Sequence, residues 1–176
     1  MSSKAAAEDL AINITCPVCN SRPGEKCTEP TDDSRKKMAK MHHRRTDLIF
    51  VPLMPDKRWE FLTSIIEEGI NGSAPWADVI AIVRAGNDRI VVMEIAEVET
   101  GEHHYITPTR IIEGFRRISY GLTRYSNSGY ANSPYGDTQS RFILFDRTNG
   151  EDSDLDAQDF DAIIQAGIFN GELVYG

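Results

Sequence analysis

From Asp56 onward the apolar positions fall three and four apart: Trp59, Leu62, Ile65, Ile66 and Ile70. That spacing predicts a helix with one apolar face, ended by Asn71-Gly72 as a left-handed cap. Trp76 to Arg84 is a largely apolar stretch of ambiguous type. After an Asn87-Asp88 turn, Arg89 to Val98 is a β-rich run. Thr100-Gly101 then turns the chain, and His103 to Thr107 can return as the partner strand of a hairpin. Pro108 to Tyr120 reads as a second helix, with Thr107 as N-cap and Pro108 at the first helical position. Its apolar face is Ile111, Ile112, Phe115 and Ile118. Residues 121–140, rich in Gly, Ser, Asn and Tyr, read as a mobile loop. A short apolar run follows from Arg141 to Phe145. The acidic stretch Asp152 to Asp161 leads into a last helix with Phe160, Ile163 and Ile164 facing inward, and the chain closes on ELVYG.

Before Asp56 the pattern is different. Residues 1–13 are a polar, alanine-rich lead. Residues 14–47 hold every cysteine, a dense cluster of basic residues and few large apolar residues. Pro23-Gly24 and Pro30 favour turns, and Ser34 to Arg45 could be a helix capped by Asp33 or Ser34. Two prolines in IFVPLMP (49–55) break any helix there. The expected organisation is a module at 1–47, a linker at 48–55 and a domain at 56–176. The expected fold class is α+β: a small zinc-knuckle module, then a compact domain of a β-hairpin or small antiparallel sheet with about three helices.

Three cysteines lie within twelve residues, spaced Cys16-x2-Cys19-x7-Cys27, and His42 and His43 follow. The start, MSSKAAAEDL, has no long apolar segment and is not read as a signal peptide, and no apolar run reaches the roughly 18 to 20 residues that span a bilayer. A cytoplasmic location is therefore expected. Thiols stay reduced there, so clustered cysteines point to metal before disulfides. Cys-Pro-x-Cys is a tight turn that presents two thiolates to one ion, and three thiolates plus one imidazole close a tetrahedral zinc shell. So short a module cannot bury enough apolar surface to fold alone, which gives one Zn2+ a structural task. A redox Cys-x-x-Cys is the alternative, but it usually opens a helix after a strand, whereas here a Pro-Gly loop follows. Either histidine satisfies the spacing.

Cys16, Cys19, Pro23-Gly24-Glu25-Lys26-Cys27 and His42-His43-Arg44-Arg45 resemble a small zinc-binding module of actinobacteriophage proteins. Its pattern is Cys-x2-Cys, Pro-Gly-x-x-Cys and a basic segment ending in His-x-x-Arg. The resemblance implies Cys16, Cys19, Cys27 and His42 as the ligands, since Arg45 then completes His-x-x-Arg. It also implies DNA binding and the cytoplasm of a bacterial host. Phe61-Leu62, Glu67 to Ile70, Trp76-Ala77, Ile106-Thr107, Ile112-x-Gly114 and the closing Asp159 to Gly176 are similar to a domain of actinophage and plasmid-borne hypothetical proteins. That second likeness implies no activity.

The net charge of −8 divides unevenly: residues 1–47 carry +2 and the remainder −10. Arg35, Lys36, Lys37, Lys40, Arg44 and Arg45 lie within eleven residues, and on a helix they would form a basic face beside the metal, suited to phosphates. The acidic remainder should repel a nucleic-acid backbone. Tyr125, Tyr130 and Tyr135 in the polar loop are candidate contacts to a host or phage protein or a ligand. Adjacent His103 and His104 on a strand point to opposite faces and cannot easily share an ion, so an exposed hairpin is expected. Asp152, Asp154, Asp156 and Asp159 lack the glycine and closing glutamate of a calcium loop. No phosphate loop or nucleophile motif is present, so an enzyme is the less supported reading. The expected function is a zinc-binding accessory protein that contacts nucleic acid through the basic segment. The alternative is a protein-binding module or inhibitor that uses the acidic domain and the tyrosines.

Overall fold

The computed structural model describes residues 8–31, 34–49, 54–125, 139–152 and 155–175. The architecture is α+β, built around a three-stranded antiparallel sheet of β3 (Ala77–Ala85), β4 (Arg89–Glu97) and β5 (His103–Ile106), in that order. β4 is the central strand, and Ile90 to Ile95 are all buried. Cover on both faces explains its nearly unbroken apolar run, where a strand open to water on one side would alternate.

On one face lie helices α3 (Asp56–Ser73), α4 (Pro108–Ser119), α5 (Gln139–Thr148) and α6 (Ala157–Ile168). Met93, Ile95 and Ile106 of the sheet join Leu62, Ile66, Phe115 and Ile163 in the main core. α4 starts as its sequence dictates, since the Thr107 side chain accepts the Arg110 N–H and Pro108 occupies the first turn. α6 opens on a reciprocal box in which Asp156 accepts from the Gln158 and Asp159 amides and the Asp159 carboxylate accepts the Asp156 N–H. α4 and α6 cross closely at Gly114, where a Cβ would sit 2.0 Å from the Ile163 carbonyl oxygen. The buried Gln165 binds the last residues: its Oε1 accepts the Val174 and Tyr175 N–H groups, and its Nε2 donates to the Asp161 carboxylate and the Tyr175 carbonyl.

The N-terminal module occupies the other face. It comprises a helical segment α1 at 8–11, the hairpin β1 (Thr28–Pro30) with β2 (Arg35–Lys37), and the short helix α2 (His43–Asp47). Ala11, Ile14 and Ile49 form a second apolar cluster with Val83, Val91 and Val92 of the sheet and Trp59 of α3. The module is thus docked on the sheet.

Four expectations need correction. Ser34 to Arg45 is not one helix: β2 takes its start and α2 its end. The stretch has no apolar stripe for a helix to bury, and the hairpin satisfies its backbone instead, with Arg35 Nε donating to Thr28 Oγ1 across the pair. Asn71-Gly72 does not end α3, which runs on to Ser73. Gly72 serves a close approach instead, because a Cβ there would lie 2.9 Å from that of Ala157. The Arg141 to Phe145 run, read only as a short apolar segment, lies inside a helix, α5, so the described residues of 56–176 hold four helices. Within the expected loop 121–140, β6 (Arg124–Tyr125) pairs in parallel with β7 (Glu172–Leu173).

Candidate metal centre and basic surface

Cys16 and Cys19 flank a tight turn. The Asn20 N–H donates to the Cys16 carbonyl at 2.9 Å, and the Cys16 N–H donates to the Ser21 carbonyl at 2.9 Å. Asn20 takes a left-handed conformation with φ of 56°, which asparagine tolerates better than most residues. Cys27 ends the next loop immediately before β1, and the Met38 N–H donates to its carbonyl at 2.8 Å. That bond at the open end of the hairpin brings the chain back beside Cys27. His42 then sits at the N-cap of α2 in extended conformation, with its N–H 3.5 Å from Cys27 Sγ.

The ligand atoms of Cys16, Cys19, Cys27 and His42 all lie within 4.8 Å of one another. His42 Nδ1 is 3.4 Å from Cys16 Sγ. Zn–S of about 2.3 Å and Zn–N of about 2.0 Å in a tetrahedron require S···N edges of roughly 3.5 Å. Cys16 and Cys27 are buried, at 0% and 1% exposure. The four residues lie together in a zinc-binding arrangement, consistent with one structural Zn2+. His43 is exposed on the first turn of α2 and does not belong to the group.

The thiols differ without metal charge. Burial pushes Cys16 up from the ordinary thiol range. Burial also opposes ionisation of Cys19, but hydrogen bonds from the Ser21 hydroxyl and from the Thr28 and Ser21 backbone outweigh it and lower that thiol. When bound, zinc ionises all its thiol ligands.

Arg45 was expected to face phosphate, and the structure overturns this. It is 0% exposed. Its guanidinium donates to the carbonyls of Ile12 at 2.9 Å, Ile14 at 2.5 Å, Arg22 at 3.2 Å and Glu25 at 2.8 Å, and reaches Cys27 Sγ at 3.6 Å. With zinc bound, three thiolates, one neutral imidazole and Zn2+ would sum to one negative charge, which the buried guanidinium of Arg45 would balance. Arg45 thus holds together the loops that carry the cysteines. Counting positive charges along the chain could not separate it from Arg44. The structural signal is its place one helical turn after His42.

Arg35, Lys36, Lys37, Lys40 and Arg44 are all exposed. The first three occupy β2, Lys40 the connection after it, and Arg44 lies on α2. Among the described residues, none of the five forms an ion pair with a carboxylate. Tyr130 and Tyr135 lie outside the described residues. Tyr125 is placed through its backbone in β6.

The module is also bound to the sheet by polar groups that the sequence did not signal. Glu94 is 0% exposed, accepts the Thr15 N–H at 2.7 Å and lies 2.7 Å from His103 Nδ1. The Tyr105 hydroxyl donates to the Thr15 carbonyl at 2.8 Å, and burial, then Glu94, raise the pKa of that phenol. Thr15 directly precedes the first ligand. His104 pairs instead with Glu97 at 2.8 Å on the opposite sheet face, so the two histidines do point apart. They are not simply an exposed pair, however, because His104 is largely covered and stacks edge-on against Phe169. Burial works against ionisation of Glu97, yet hydrogen bonds from Thr100, His104 and Tyr175 hold its carboxyl below the usual range. Asp146 is paired with Arg58 at 2.5 Å.

Residues 3–59 fit the model of a family described as "Putative DNA-binding phage zinc finger domain". The match contains all four ligands, Arg45 and the exposed basic residues, and it ends in the first turns of α3. Residues 60–176 lie outside it. No curated protein and no solved structure matches the chain.

Proposed function

We propose that the protein is a phage-type zinc-finger accessory protein acting in the cytoplasm of a bacterial host. In this reading it contacts nucleic acid through Arg35, Lys36, Lys37, Lys40 and Arg44. One observation carries the proposal: five exposed cations, without carboxylate partners among the described residues, sit on the hairpin, its exit and the helix that the metal ligands position. The family description points the same way. The reading differs from a basic helix in a groove. A hairpin strand, the connection after it and a short helix present their cations as separate points, which suits contacts to successive phosphates more than base readout. No Phe, Trp or Tyr lies between Cys16 and Arg45, so base stacking has no large aromatic platform there. The strongly acidic remainder would keep the rest of the surface off the duplex and leave the module as the contact face.

Fluorescence anisotropy of the zinc-loaded chain on duplex and single-stranded DNA tests this. Each phosphate contact contributes about 0.9 to the slope of log affinity against log salt on duplex DNA. Replacing Lys36, Lys37, Lys40 and Arg44 with Ala should flatten that slope by about 3 to 4 and lower affinity at low salt by roughly a hundredfold or more. The zinc content should not change. Affinity and slope equal to those of the unaltered chain would end the proposal.

A further inference from the structure

β3 reads Ala77-Asp78-Val79-Ile80-Ala81-Ile82-Val83-Arg84-Ala85. Backwards, the same nine residues read Ala-Arg-Val-Ile-Ala-Ile-Val-Asp-Ala. The strand is a palindrome about Ala81 whose only asymmetry is one pair of opposite charges. It is also an edge strand: β4 pairs with one side, and among the described residues no strand pairs with the other. Its apolar centre is open to water, with Val79 at 42%, Ile80 at 44% and Ile82 at 42% exposure. Ile80 has no partner on β4, because the register shifts between Val79 and Ala81. Asp78 is exposed and forms no ion pair among the described residues.

A long apolar edge of this kind is a template for another strand, and soluble proteins usually blunt it with lysine, proline or a covering segment. Here the sequence has none of these devices within the strand. We infer that β3 pairs antiparallel with β3 of a second copy, about a two-fold axis through Ala81, to form a six-stranded sheet across a homodimer. An isologous contact requires a surface complementary to itself, with residue i meeting residue j and j meeting i, and the near-palindrome about Ala81 supplies that complementarity by setting like apolar residues opposite one another and each Asp opposite an Arg. In this register Ile80 faces Ile82 of the second copy, Val79 faces Val83, and Asp78 faces Arg84. Each cross-strand pair occurs twice. Arg84 already contacts Glu67 at 2.5 Å and the Asp88 carboxylate at 3.4 Å, so it is held at the strand end, at 30% side-chain exposure, ready for a third carboxylate. The inference is independent of the nucleic-acid reading, because β3 lies outside residues 3–59.

Sedimentation equilibrium of the zinc-loaded full chain provides the test. The unaltered chain should sediment as a dimer that dissociates on dilution. Asp78→Arg places two like-charged pairs in the interface, as does Arg84→Asp. Each variant alone should weaken dimerisation by about tenfold or more. An equimolar mixture of the two restores both opposite-charge pairs and should recover dimer to within about threefold of the original. Ile80→Lys and Ile82→Glu form a second such set at exposed positions outside the core, for use if Arg84→Asp disturbs the fold by circular dichroism. A monomeric unaltered chain at about 100 μM, a value typical of weak association, overturns the inference. So does a mixture that remains monomeric, or a dimer insensitive to all four substitutions.

Discussion

Withdrawing zinc should unfold residues 8–49 and leave the four helices and the sheet standing. The module buries little apolar surface of its own, and its loops converge only on the ligand atoms and on Arg45. Structural zinc contributes about 10–16 kcal/mol in isolated finger peptides, far more than that small cluster could supply. Hydrogen exchange should therefore show the amides of Cys16, Asn20 and Met38 losing protection on chelation, while those of α4 and α6 keep theirs. Loss of the module also exposes Val83, Val91 and Val92 on the back of the sheet, so the remaining domain should melt earlier and tend to aggregate. Cys16→Ser or Cys27→Ser removes about a quarter of the ligand set and should lower zinc affinity by roughly a hundredfold or more. If the module's protection survives chelation, the metal is not what folds it.

Arg45→Ala is the second large effect. The substitution strands the carbonyls of Ile12, Ile14, Arg22 and Glu25 and leaves the metal site's negative charge uncompensated in a buried place. Breaking a buried charge network in this way costs about 3–5 kcal/mol, and losing a group that orients ligands costs about 10–100-fold in metal affinity. Arg45→Lys keeps the charge but offers three donors from one nitrogen in place of the planar fork, so it should fall between the two. Arg44→Ala, one residue away and exposed, should change stability by no more than about 0.5 kcal/mol and act on nucleic-acid affinity instead. Chemical denaturation of the zinc-loaded variants, with a competing chelator to read affinity, separates these outcomes. Equal stability losses for the two arginines would contradict the division of labour between them.

The parts of the fold legible in the sequence were those fixed by neighbours in the chain. The spacing from Trp59 to Ile70 defines α3, the Thr107-Pro108 start defines α4, and the acidic lead before Phe160 contains the reciprocal cap of α6. The β4–β5 hairpin follows from its turn residues. The three cysteine ligands were legible for the same reason, because a knuckle is a local turn and Cys27 follows at finger spacing, whereas spacing alone admitted His42 and His43 equally. What stayed hidden depends on contacts distant in sequence. β3 stayed ambiguous in type because its neighbours cover Val83 and leave Val79, Ile80 and Ile82 open. The basic segment looked helical by composition, but the Cys27 carbonyl captures the Met38 amide, and the hairpin takes its start. Glu94 sits in an apolar strand with no local mark of its role, which is to accept an amide 79 residues away in sequence. Arg45 has the same residue type as its neighbour and the opposite fate, decided by which side of α2 faces the cysteine loops.

The central claim is that one zinc ion, held by three sulfurs and one nitrogen, organises the N-terminal module. X-ray absorption spectroscopy of the zinc-loaded chain, with the metal counted per chain, tests it most directly. The account predicts one zinc, three Zn–S distances of about 2.3 Å and one Zn–N distance of about 2.0–2.1 Å, with the nitrogen contribution lost in His42→Ala and kept in His43→Ala. A chain that retains no zinc, a shell dominated by oxygen, or a nitrogen that disappears with His43 and not with His42 would contradict it.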